Sequence, residues 1–149
     1  MSNTHDSAKH SHALRKTVSN RRGTSAVEFA LIAPLMILFT FGLIEIGRVM
    51  LVKQTATHAS REAARVAVRP TADYQDVIDR ATEELSVLGI QDASTIELVP
   101  SSLQDAAPGT PVTVRVLVDA ASVSWVSGYF DFTFSEIIAE SSMRRESTD

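Results

Sequence analysis

Residues 23–68 read GTSAVEFALIAPLMILFTFGLIEIGRVMLVKQTATHASREAARVAV. From Phe29 to Ile44 there are 16 residues without a charge. Extended past Glu45 and Arg48 to Val52, the apolar stretch is about 24 residues long, and a bilayer span needs roughly 20. The apolar side chains point all around a helix, as they do in a membrane span and not in a one-sided surface helix. A transmembrane helix over 24–52 is therefore expected. A buried core helix and a cleaved secretory signal peptide are the other readings. The run is long for a signal core, no A-x-A site follows it, and the sequence after Lys53 continues in helical style.

One carboxylate, Glu28, stands near the start of this run. A charge at the bilayer centre costs roughly 2.5–3.5 kcal/mol on insertion scales and less near the interface. An ionisable group in such a position is a functional candidate, and it needs a partner. Further along, Glu45 and Arg48 lie three residues apart on one helix face, where part of their charge is expected to cancel, and they are candidate contacts to a partner helix.

The chain has 149 residues and no cysteine, which excludes disulfides, thiolate metal sites and a cysteine nucleophile. Its net charge of −4 conceals an asymmetry. Residues 1–23 carry Lys9, Arg15, Lys16, Arg21 and Arg22 against Asp6 alone. The remainder is strongly acidic, which argues against a nucleic-acid partner, because phosphate binding needs clustered Lys and Arg. Residues 1–20 are polar and aperiodic and read as disordered. His5, His10 and His12 lie there with nothing to fix a coordination geometry, so no metal site is expected.

Beyond the span, Gln54–Val68 is rich in good helix formers and lacks Gly and Pro, so the helix is expected to continue until Pro70 ends it. Ala59, Ala63 and Ala67 form one ridge of small residues, and Ala56, Ser60 and Ala64 a second. Such ridges admit close approach, either of a partner helix or of the chain's own domain. A second helix follows, N-capped by Thr71 or Asp73, with Tyr74, Val77, Ile78, Ala81, Leu85 and Leu88 on its apolar face. Asp76, Asp79, Glu83 and Glu84 form a solvated acidic face, and Gly89 supplies the C-terminal stop.

The period then changes from helical to alternating. Thr95–Val99 and Val112–Val118 read as strands around a turn-rich loop, and Ile137–Met143 as a third. The aromatic group Trp125, Tyr129, Phe130, Phe132 and Phe134 has three possible uses: core, interfacial anchor or partner contact. Arg144–Asp149 reads as a polar tail. The fold class is α+β: a long N-terminal helix, a second amphipathic helix and a small antiparallel sheet of about three strands.

No catalytic constellation is visible. His58, the one histidine outside the leader, has no acidic neighbour in sequence placed to orient it as a base. There is no G-x-S-x-G, no H-E-x-x-H, no P-loop and no dinucleotide-binding glycine set. Neither an enzyme activity nor a cofactor is expected.

The order Arg21-Arg22-Gly23, small residues Thr24-Ser25-Ala26, Val27-Glu28-Phe29 and then the apolar helix resembles a type IV prepilin leader. Together with Gly-Leu-Ile-Glu-Ile-Gly-Arg and Ala-Ser-Arg-Glu-Ala-Ala-Arg, residues 23–68 resemble the TadE-like minor pilins, or pseudopilins, of tight-adherence (Flp) pilus systems. The resemblance implies cleavage by a prepilin peptidase between Gly23 and Thr24, on the cytoplasmic side. It implies that Glu28, fifth in the mature chain, meets the new terminal ammonium of a neighbouring subunit during assembly. Such pairing offsets part of the desolvation cost. The implied partners are the peptidase, other pilins or pseudopilins, the assembly machinery and the membrane. Lys and Arg nearly balance across the span, so charge counting does not orient it. The resemblance places the N-terminus in the cytoplasm, the helix in the inner membrane of a bacterium, and residues 53–149 outside. Major Flp pilins carry Glu-Tyr where this chain has Glu28-Phe29 and have little chain beyond the helix, which favours a minor subunit. Pro34 is expected to disturb the helix locally. A signal-anchored envelope protein with no pilus role, and a membrane-tethered binding domain, are the competing assignments.

Overall fold

The computed structural model describes residues 19–104, 106–124 and 136–146. The polar residues before Ser19, with their three histidines, and the aromatic group at 125–134 lie outside the described residues. The chain divides into two units, Met1–Phe41 and Gly42–Asp149.

The first helix, α1, runs from Ser19 to Ala67. It therefore includes Arg21, Arg22 and Gly23, and it continues through Pro34. Its apolar window is long and hydrophobic enough to cross a membrane, and none of that window is buried. In the first unit Val27, Phe29, Leu31, Leu35 and Phe39 are each more than 60% exposed. Side chains of this kind in contact with water would cost roughly 1.5–3 kcal/mol apiece, so the surface calls for an apolar solvent.

The second unit is built on the C-terminal part of α1. Helix α2 spans Tyr74–Ser86. Asp73 caps it: its carboxylate accepts from the Asp76 N–H at 2.9 Å, while the Asp73 N–H donates to the Asp76 carboxylate at 3.0 Å. At its other end Gly89, at φ +68°, lets the Ile90 N–H reach back to the Leu85 carbonyl and its own N–H to Ser86. This is the glycine stop expected of that position. Of the anticipated apolar face, Val77, Ala81 and Leu85 are buried. Tyr74 is 44% exposed, because it occupies the first turn, beyond the reach of the core.

Strands β1 (Ser94–Val99), β2 (Pro111–Asp119) and β3 (Glu136–Arg144) form an antiparallel sheet in the order β1-β2-β3. A short helix, α3 (Ala120–Val123), follows β2 directly, with Asp119 as its cap. The strand period of two turns Val112, Val114, Val116 and Val118 to one face, and all four are fully buried. They meet α1 and α2 in two clusters stacked along α1. One holds Val52, Ala56 and Ala59 with Leu85, Val116, Val118 and Val123. The other holds Ala63, Ala64 and Ala67 with Val77, Ala81, Val112 and Val114.

The six small residues of the two ridges, Ala56 to Ala67 with Ser60, are all fully buried. Their burial is accounted for within the chain: they share two core clusters with α2 and the β2 valines. Arg144–Glu146 is not a loose tail. Arg144 ends β3; the Arg145 guanidinium donates to the carbonyls of Leu103 and Pro70; the Glu146 N–H donates to the Val68 carbonyl at 3.0 Å. These bonds tie the end of β3 to the α1–α2 turn and the β1–β2 loop.

Candidate functional site

Gly23, Thr24 and Glu28 lie on exposed helix of the first unit. A methyl group built on Gly23 would meet nothing within 4 Å, and no positive φ requires a glycine there. A helical glycine costs roughly 0.5–1 kcal/mol relative to alanine. Among the described residues the fold thus gives no reason for Gly23. Glu28 forms no ion pair among the described residues.

Glu45 and Arg48 lie in the second unit, both half-buried, on the face of α1 that leads into the core through Val49 and Val52. Arg48 Nε donates to the Val123 carbonyl, the last residue of α3. One turn later the Lys53 ammonium donates to the Ile138 carbonyl of β3. Both cations therefore fasten α1 to its own body through backbone oxygens.

His58 has no acidic neighbour placed beside it along the chain; the fold supplies one. His58 Nδ1 lies 3.1 Å from Glu84 Oε2. Packing Ala59 and Ala63 of α1 near Ala81 and Leu85 of α2 brings together the residues that precede two of these contacts, His58 and Glu84. Glu84, expected on a solvated face, has a side chain only 17% exposed. It is shared with Arg80, which also bonds Glu83 at 2.7 Å and approaches Glu62 of α1 at 3.8 Å. The hydrogen bond to Glu83, reinforced by the charges of Glu84, Glu83 and Glu62, raises the Arg80 pKa further. With Glu84 engaged from two sides, this network is a clip between α1 and α2. The helical stripes were readable, but their mutual register was not.

An open groove beside the clip is lined by Glu62, Arg65, Arg69 and Arg80 together with Met143 and Glu146. Its charges are mixed and partly paired, as in the 3.4 Å contact of Arg65 with Glu62. Among the described residues no three His, Asp or Glu side chains are grouped to hold a metal ion.

Comparison of the chain with curated proteins and with solved structures gives no match in either. Comparison with family models does: residues 23–65, from the unexplained glycine to the helix that carries the clip, match the family described as TadE-like protein, the family that this stretch of sequence resembles.

Proposed function

We propose that the protein is a non-enzymatic minor pilin or pseudopilin, taking part in assembly of a tight-adherence (Flp-type) pilus after cleavage by a prepilin peptidase between Gly23 and Thr24. The observation that carries this reading is Gly23 itself. It opens the TadE-like match, and no contact in the fold asks for it. Gly42 and Gly47 are equally without contacts but lie inside the apolar run; Gly23 alone stands directly before it, after Arg21 and Arg22, where a peptidase subsite shaped for no side chain would read it. Cleavage there leaves an ammonium on Thr24, four residues before Glu28. That new cation is the partner for Glu28, in its own chain or in a neighbour.

In this reading the helix over 24–52 anchors the protein in the inner membrane, the basic leader faces the cytoplasm, and residues 53–149 lie outside. Glu45 and Arg48, half-buried on α1, are the residues through which a partner helix is met. The partners are other pilins or pseudopilins and the assembly machinery. Support comes from the family match, the apolar window of α1 and the small body attached to it.

Mass spectrometry of the mature chain tests the cleavage: an N-terminus at Thr24 is expected. Gly23→Ala should be processed better than Gly23→Leu, because the subsite rejects bulk. Equal processing of both variants, or a mature chain that still begins upstream of Gly23, would overturn the reading.

A further inference from the structure

Within the second unit, the stretch of α1 from Gly42 to Leu51 has two faces with different neighbours. On one face Val49 packs beside Val52 and Val123, and Arg48 holds the Val123 carbonyl. On the other, Ile46, Met50 and Leu51 are 59%, 63% and 48% exposed. Contiguous exposed apolar surface of this size marks a contact with something apolar. The face continues the apolar window that qualifies α1 as a membrane span, and its side chains offer no strong hydrogen-bonding group for a protein partner to read. Lipid is the occupant this chemistry fits.

The consequence concerns the opposite face. If lipid reaches Leu51 on one side, whatever packs on the other side at that height also lies at membrane level. From Glu45 to Val52 the helix rises about 10 Å at 1.5 Å per residue. The polar interfacial layer of one leaflet is roughly 5–8 Å thick. The upper part of this stretch, from Arg48 to Val52, rises about 6 Å and matches the headgroup layer, with Ile46 below it. The parts of the body at that height are α3 and the start of β3. Both are held there by cations, Arg48 on the Val123 carbonyl and Lys53 on the Ile138 carbonyl. An ammonium has three N–H groups, and Lys53 is exposed, so donors remain for a phosphate oxygen.

We propose that the α3 end of the second unit is seated in the headgroup layer of the membrane that takes up α1, with Lys53 at the level of the lipid phosphates. This rests on the reading of α1 as a membrane span. The β1–β2 loop, at the other end of β2, then lies away from the headgroups.

The absence of cysteine makes the test clean, since each introduced thiol is unique. The full chain, labelled with an environment-sensitive fluorophore at Leu38→Cys, Met50→Cys, Ala121→Cys or Ala107→Cys, is reconstituted in phosphatidylcholine–phosphatidylglycerol vesicles. Quenching by a lipid carrying a spin label near its headgroup is then measured. Ala121 is exposed on α3; Ala107 is exposed in the loop at the other end of β2, about 27 Å of strand away at 3.4 Å per residue. The expected result is quenching at Ala121→Cys about threefold stronger than at Ala107→Cys, because quenching requires residence in the interfacial layer. Equal weak quenching at both sites, with Met50→Cys quenched, would overturn the seating and leave the span intact. Absence of quenching at both Leu38→Cys and Met50→Cys would overturn the membrane reading and the seating with it. Quenching at Leu38→Cys, with Met50→Cys shielded and cross-linking to its counterpart, would place a second copy of this chain on that face and overturn the seating.

Discussion

Ala63 shows how much one small side chain decides. It is fully buried between α1 and the cluster of Val77, Ala81, Val112 and Val114. A larger residue there has no room, since interiors are packed as densely as organic crystals. Ala63→Leu is expected to destabilise the second unit by about 1–3 kcal/mol, the usual effect of overpacking. The check is thermal unfolding of the detergent-solubilised chain, followed by circular dichroism. Ala30→Leu, on the exposed apolar part of α1, should leave the transition in place. An unchanged transition for Ala63→Leu would mean that the ridge is open to a partner helix after all. The same logic separates Ala63 from Gly23: both are small, but only Ala63 is small for a reason found inside the fold.

Elements were predictable where one local signal sufficed. The valine alternation from Val112 to Val118, the Asp73 cap and the Gly89 stop each identify an element from a few residues, and the structure places all three as expected. What required the third dimension was the meeting of elements. The pairing of His58 with Glu84 depends on the register of α1 against α2, and the anchoring of Arg145 depends on where β3 ends. Neither register is written in a helical or strand period. The short helix α3 is a further example, because four residues are too few to show periodicity. Its cap is Asp119, whose carboxylate accepts from the Ser122 hydroxyl and, at 3.0 Å, from the Ala121 N–H. The Ser122 bond first, and the backbone bonds after it, hold the Asp119 pKa below the ordinary carboxylate value. A carboxylate with a lowered folded pKa stabilises the folded form fully above its unfolded value, about 3.9, and loses that contribution as pH falls through the folded value. Amide-exchange protection at Ser124, which donates to the Ala120 carbonyl, should therefore decline as pH falls below about 4. Asp119→Asn, which keeps an acceptor without a titrating charge, should show no such decline. Parallel declines in both would exclude Asp119 as the cause.

At the scale of the whole molecule, α1 changes character along its length. The apolar first part of α1 is exposed among the described residues, while its last part supplies one wall of both core clusters. Removing that wall would expose Val112, Val114, Val116 and Val118 together, all of them fully buried. Each valine returned to water costs roughly 1.5–3 kcal/mol, and the four together approach the entire 5–15 kcal/mol stability of a typical domain. The part of the chain that begins after Pro70 is therefore not a domain, although a helix and a sheet can be traced in it. A fragment of residues 71–149 is expected to show no cooperative thermal transition, whereas one of residues 47–149 retains Val49, Val52 and the alanine ridges and should unfold cooperatively. Differential scanning calorimetry of the two fragments decides this. A cooperative transition in the shorter fragment would show that α2 and the sheet stand without α1. The last part of α1 would then be joined to a separate body and would not share its core.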